Sequence, residues 1–383
     1  VAKPDLCFPN KIEDMIVLHM AILKNPDDAK AMYYLGNLWY DKRQYDDAIE
    51  CWEDSIRKDN FFPTAQRNLA LAYYNKKGNP AKAALLLRKA FNLDITDSRI
   101  LMELDQLNKK IQVPAQKRLE LLDQYPELVE YRDDLYLERA TLLNWIGNYD
   151  QAMLLIALRK FHPWEGGEGK VVEQYKISRI ELAKKAIHVG EFSMAIVLLS
   201  ECLVYPTDLG EGKLTGTQEN DIHYLMGVAF ELSGNKTEAE KYYELATKGS
   251  HEPGCAIFYN DQKPDVIFYQ GLAFLKLKQE EKARQRFELL AEFGEKHLHD
   301  KVKLDYFAVS LPDLLIFDED LVVRNTIHCR YLIGLGNLGL GEVNNAVAAF
   351  KEVLAQDCYH WGAFMHLKMI NSSSLMTFKV KKI

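Results

Sequence analysis

Apolar and small side chains recur along this chain at three- and four-residue intervals on both sides of short polar turns, the spacing of amphipathic helices joined as hairpins. The stretch "AKAMYYLGNLWYDKRQYDDAIECWEDSIRKDN", from Ala29 to Asn60, carries the pattern most clearly. Leu35, Gly36 and Trp39 fall on a first helix, and Ala48, Trp52 and Ser55 on a second. Small residues at Gly36 and Ala48 let the two helix backbones approach, while the large ones fill the grooves above and below.

The same spacing returns down the chain. Pro63 opens a second hairpin, with Leu69, Ala70, Tyr73, Ala83 and Ala90 in matching places and one extra residue in its turn "NKKGNP". A third, around Leu101 to Tyr125, keeps the apolar spacing but carries Asp105 where the others have a small residue. Ala140 and Ala152 mark a fourth, Ala183 and Ala195 a fifth, and Gly227, Phe230, Ala239 and Tyr243 a sixth. Gly271, Phe274, Ala283 and Phe287 mark a seventh, and Gly334, Ala346 and Phe350 an eighth. The unit resembles the tetratricopeptide repeat (TPR), a helical hairpin with a period of about 34 residues. One hairpin cannot bury its apolar face, so neighbours must stack. The resemblance implies an all-α fold: a right-handed α-α superhelix of about eight hairpins, its concave face lined by the first helix of each. Residues 1–28 are expected to form an N-terminal capping helix, 29–358 the array, and 359–383 a C-terminal capping helix and tail.

Repeats of this kind are joined by short turns, so longer joins carry information. Four occur, near 161–170, 205–224, 250–265 and 296–321. Each follows the second helix of a hairpin, which predicts that they decorate one rim. The first, "FHPWEGGEGK", is echoed by "LGEGK" at Leu209 to Lys213. Glycines there leave backbone N–H groups able to hold an anion or a carboxylate. A nucleotide loop would need Ser or Thr after the lysine, and Val171 and Leu214 stand there instead. The rim surface is assigned to His162, Trp164, Glu165, Glu168, Lys170, Lys213, Asn220, Asp221, His223, Asn260 and Asp261. Trp164, Tyr259, Tyr306 and Phe307 offer stacking platforms, or pack the loops onto the helices beneath. The plain alternative is that such joins only turn the chain, with their charges solvated.

Composition narrows the function classes. An apolar fraction of 48% with 27% charged residues is that of a folded chain with no long disordered tract. The net charge of −7 argues against nucleic acid or anionic membrane as general partners. Cys7, Cys51, Cys202, Cys255, Cys329 and Cys358 form no metal-binding spacing and read as reduced core residues of a cytoplasmic protein. No run approaches the roughly 20 apolar residues of a membrane span, and the start shows no signal-peptide pattern. The chain opens on Val1, consistent with a fragment of a longer protein. There is no GxSxG elbow and no HExxH. His297 and His299 lack both helical ligand spacing and a third ligand. No cofactor and no metal are expected.

Beyond the generic repeat, "RKFHPWEGGEGK", "LGEGKLTGTQENDIHY", "YNDQKPDVIFYQG", "KLDYFAVSLPDLLIFDEDL" and "IHCRYLIGLGNLGLGE" occur in this order. In these phrases the chain resembles the C-terminal helical region of large bacterial proteins. Those proteins carry an N-terminal domain of unknown function similar to carbohydrate-active β-sandwich enzymes. The resemblance implies the helical part of a larger protein, with the rim facing an adjoining domain or its substrate. The β-sandwich itself is absent here. Two readings follow. The first is a non-enzymatic scaffold that binds a protein or peptide through its groove, its rim or both. The second is part of a carbohydrate-processing enzyme whose rim loops contact substrate; convergence of two loop carboxylates would favour it.

Overall fold

The computed structural model describes residues 7–255, 261–302 and 315–371. These residues form nineteen α-helices and one short 3-10 turn, with no strand. They fall into two compact units, residues 1–135 with 312–318 and residues 136–311 with 319–383.

The first unit holds α1 (Ile12–Lys24) and the hairpins α2 (Ala29–Asp41) with α3 (Tyr45–Lys58) and α4 (Pro63–Asn75) with α5 (Pro80–Leu93). After α6 (Ser98–Lys110) the third hairpin is completed by two short helices, α7 (Ala115–Asp123) and α8 (Pro126–Tyr131). Pro126 explains the break, because proline disfavours helical backbone at the residue before it. Helix α9 (Asp133–Trp145) starts in the first unit and ends in the second.

The second unit continues with α10 (Tyr149–Leu158), then α11 (Lys170–Val189) with α12 (Phe192–Cys202) and α13 (Asn220–Leu232) with α14 (Lys236–Ala246). It ends with α15 (Pro264–Lys276) and α16 (Glu280–His297), α17 (Leu321–Gly339) and α18 (Val343–Gln356), and α19 (Trp361–Asn371). Its first helices α11, α13, α15 and α17 lie side by side, and α19 packs on α17 and α18.

Local signals set the helix ends. Asp28, Asp97 and Asp320 each accept two backbone N–H bonds at the start of α2, α6 and α17. Prolines occupy the first position of α4, α5, α8 and α15, where no N–H is needed. In every hairpin turn one residue takes a left-handed conformation. Gly78, Gly147, Gly190, Gly234 and Gly341 do so at no steric cost, whereas Arg43, Gln112 and Lys278 do so as strained non-glycines.

The hairpin cores show matched volumes. Gly36, Gly227, Gly271 and Gly334 face Trp52, Tyr243, Phe287 and Phe350, and a Cβ on any of these glycines would lie closer than 3.0 Å to the ring. Where the facing position holds an aliphatic residue, Leu87, Ile156 or Leu199, the first helix carries Ala70, Ala140 or Ala183. All of these side chains are buried. Gly336 and Gly339 of α17 also press on α16 at Phe287 and Ala291, so "IGLGNLGLG" gives one helix close approach to two neighbours.

The third hairpin departs from this rule. Its two small positions are Asp105 and Arg118, which form a buried two-pronged ion pair at 3.0 and 2.6 Å. Part of the fourth long join also belongs to the first unit. Asn75 Nδ2 donates to Ile316 O, and Asp318 N–H donates back to Asn75 Oδ1, both at 2.9 Å. Phe317 is buried against Tyr74.

One expectation changes. Cys7 and Cys255 are exposed, so they are not core residues; both lie outside helices, where no apolar face holds them. Helix α1 buries none of its side chains fully and leaves Ile12, Ile16, Met20 and Leu23 exposed on one face.

Candidate functional site

The first two long joins are built against each other. Phe161 N–H donates to Asp208 O at 2.8 Å, and Gly210, at φ 77°, lies against the Phe161 carbonyl. Glu211, from the second "GEGK", accepts from Gly169 N–H at 2.8 Å and Val172 N–H at 3.3 Å. Its carboxylate therefore sits at the amino end of α11, where unpaired N–H groups and the helix dipole favour an anion. The anion-holding property read from "GGEGK" is satisfied inside the chain.

The residues assigned to the rim have different places. His162, Glu165 and Lys170 are exposed, and Glu168 is half-buried. Trp164 folds back over Gly167, where an added Cβ would strike its ring. Lys213 bonds Glu219 at 2.7 Å and Leu203 O at 3.0 Å. Asn220, Asp221 and His223 stand on α13 and not in a loop. Asn220 is buried, and its amide donates to Ala246 O and Lys248 O at 2.7 Å each, a structural tie between the start and the end of one hairpin. His223 is half-buried beside Tyr242, and burial holds its pKa below the usual histidine value. Asp261 is half-buried, while Asn260, Tyr259, Tyr306 and Phe307 lie outside the described residues.

Polar chemistry gathers elsewhere, on the first helices. In the first unit Trp52 Nε1 donates to Tyr33 O and Asn37 Oδ1, both at 3.1 Å. Asn68 donates to Asn37 at 3.2 Å and accepts from Arg67 at 2.9 Å. Arg67 and Arg99 then clamp the fully buried Glu103, with Nε bonds of 2.7 and 3.0 Å. Neutral amides thus lead along α2 and α4 to a closed Arg–Glu–Arg group on α6.

In the second unit the row runs over α13, α15, α17 and α19. Tyr331 donates to Asp265 Oδ1 at 2.6 Å, and its hydroxyl lies 3.2 Å from His366 Nδ1. His366 Nδ1 also lies 2.7 Å from Gly362 O, while its Nε2 faces Asp265 Oδ1 at 4.0 Å. The Tyr269 ring stands between, 5.6 Å from Tyr224 and 6.5 Å from His366. Burial raises the Tyr269 and Tyr331 hydroxyls well above the usual phenol value, and the nearby Asp265 adds to both shifts. Burial also raises the Asp221 carboxyl and lowers His366.

Nothing in the assigned rim list included Asp265, Tyr331 or His366. One signal was present: Asp221 and Asp265 each stand six residues before the glycine of their helix, Gly227 and Gly271, so equal register sets them side by side.

Burial pushes the thiols of Cys51 and Cys202 up to about 12 and that of Cys329 to about 11, so they stay protonated at neutral pH. Among the described residues no cluster of three His, Cys, Asp or Glu is placed to hold a metal ion, and no helix is long and apolar enough to cross a membrane. The loop carboxylates Glu211 and Asp318 are each engaged in holding backbone or a lysine.

Comparison with known proteins finds the repeat in part of the chain. The tetratricopeptide repeat family matches residues 17–50, 40–94 and 265–292, so repeats of this family occupy those segments. Among solved structures, the chain is similar to YrrB, described as a TPR protein with an unusual peptide-binding site, at 17% identity, covering 60% of this chain and 90% of that one with a TM-score of 0.34. A tetratricopeptide repeat protein from Parabacteroides merdae matches at 15% identity, covering 68% and 91%, with a TM-score of 0.33. The Naa15/Naa10 complex bound to HypK-THB matches at 10% identity, covering 92% and 62%, with a TM-score of 0.42.

Proposed function

We propose that this chain is a binding scaffold that holds an extended segment of a partner protein along its first helices. The observation that carries the reading is a contrast in how the charged groups are paired. The loop groups Glu211 and Lys213 are engaged with the chain itself, whereas among the described residues no lysine or arginine nitrogen lies within 4.0 Å of Asp221 or Asp265 on adjacent first helices. Half-buried carboxylates cost free energy unless a partner supplies hydrogen bonds or charge. A row of such groups, flanked by tyrosine rings, suits a peptide gripped at a few anchor points. The four long joins would then orient the array or meet an adjoining domain, in keeping with caps at either end.

Panning a random peptide library against the full chain, followed by photo-crosslinking of the enriched peptides, tests this. Crosslinks mapping to α11, α13, α15 and α17 are expected. A library yielding no binder, or crosslinks confined to 161–170 and 205–219, would remove the reading.

A further inference from the structure

We infer that α1 is a self-association surface, through which two copies of this chain pair in antiparallel fashion, each covering an apolar face of the other. The inference goes beyond the scaffold reading and does not depend on it. Helix α1 has two apolar faces. Met15, Leu18, Ala21 and Ile22 are half-buried on the side that packs on α2. Ile12, Ile16, Met20 and Leu23 follow one another at four- and three-residue steps on a second face, and all are more than half exposed. Scattered exposed apolar residues are ordinary, but four large ones in one row form a contiguous surface. The helix is held at both ends, so the row is fixed in place. Asp14 accepts from the Asn10 and Lys11 N–H groups at 3.1 Å each, and Asn25 N–H donates to Ala21 O at 2.9 Å.

Charge selects the occupant. Glu13 and Lys24 are both exposed, and at about 100° per residue both fall on the same flank of the exposed row. In an antiparallel pair of identical helices each flank meets its own counterpart, so Glu13 of one copy lies beside Lys24 of the other, twice over. The apolar residues share that register, with Ile16 level with Met20 of the second copy and Ile12 level with its Leu23. The midpoints of these three pairings fall within one residue of one another along α1, as a two-fold axis requires. Antiparallel packing also opposes the two helix dipoles. A parallel pair would instead set Glu13 level with Glu13 and Lys24 level with Lys24. An anionic membrane is disfavoured by Glu13 on the border of the row and by the net charge of −7. A recess of about 560 Å³, lined by Ile12, Met15, Leu38 and Trp39 among others, gives Leu23 of the second copy a seat. One helix per copy buries less than the roughly 1,200 Å² of a stable interface, which sets a weak dimer with a Kd of about 10–100 μM.

Sedimentation equilibrium on the full chain, from about 1 to 300 μM, tests this. A monomer–dimer equilibrium is expected. Ile16→Lys and Met20→Lys, both at exposed positions, should each weaken the dimer about tenfold or more while leaving the melting temperature of the dilute monomer unchanged. Glu13→Lys and Lys24→Glu should each weaken it about threefold or more by setting like charges together. The two charge changes combined should restore the dimer, because each pair is then simply reversed. A chain that stays monomeric at the highest concentration, or a dimer indifferent to Ile16→Lys and Met20→Lys, would overturn the inference and give this face to another partner. A combined charge variant no tighter than the single ones would overturn the antiparallel pairing. Failure here is separable from failure of the scaffold reading. A monomeric chain that still binds library peptides along its first helices leaves the scaffold standing, and a peptide library without binders leaves the dimer standing.

Discussion

Arg118 grips Asp105 with two hydrogen bonds of 3.0 and 2.6 Å, and both side chains are buried at the two positions where the preceding hairpin has Ala70 and Ala83. A charged pair therefore takes the place of a small pair at a helix crossing. Removing one partner strands the other charge in the core, at a cost of about 3–5 kcal/mol. Removing both recreates the alanine pair of the neighbouring hairpin. Asp105→Ala and Arg118→Ala should each lower stability strongly in urea melts, and the double variant should lose less than either single one. Equal or additive losses would mean that the pair is not coupled.

The glycine facing Phe350 sets a second expectation. Gly334→Ala places a methyl group into the ring and should destabilise by about 1–3 kcal/mol, as overpacked cores do. Combining it with Phe350→Leu rebuilds the Ala–Leu pairing of the fifth hairpin, Ala183 with Leu199. The combined variant should recover part of the loss. A double-variant cycle read by thermal melts decides it.

Lys278 holds φ 59° in the turn between α15 and α16, where five other hairpins use glycine. Lys278→Gly should raise stability by about 0.5–1 kcal/mol, since the left-handed strain relieved exceeds the added chain entropy. The converse, Gly341→Ala in the last hairpin turn, should lower it by a similar amount. Chemical denaturation midpoints check both.

Acid sensitivity follows from buried histidines. His223, His328, His360 and His366 all have pKa values lowered by burial from the ordinary 6.5. Around His366 stand Asp265 on α15, Tyr331 on α17, Glu181 and Lys184 on α11, and His360 before α19. Because the folded values lie below the unfolded one, the unfolded chain binds more protons once the pH drops under 6.5. Stability is fully present above that value and is lost as the pH falls toward the folded pKa values. Asp221, raised by burial, acts with the opposite sign nearer 3.8. Melting temperatures should fall between pH 7 and 5.5 or thereabouts, with a shallower slope in His366→Phe.

How far these features could be read from the sequence depends on their locality. Gly36, Ala48 and Trp52 lie within one hairpin, so their spacing alone reveals who meets whom. Glu211 is an intermediate case: the glycine-rich wording pointed to an anion at Gly169, but not to the anion being a glutamate of the neighbouring join. Asp105 stood out as an anomaly, while its partner Arg118 did not, because the extra turn residue shifts the register. Asp265 and Tyr331 are 66 residues apart, and their meeting with His366 depends on how three hairpins stack. Periodicity gives each helix its face and gives no contact between such distant faces.

The most direct test of the scaffold account is the affinity of an enriched library peptide, measured by calorimetry, for two variants of the full chain. Asp221→Asn with Asp265→Asn alters the first-helix row, and His162→Ala with Lys170→Ala alters the exposed first join. The account predicts a loss of about tenfold or more for the first variant and an unchanged affinity for the second. Loss of binding with the loop variant alone would contradict it and return the partner to the rim.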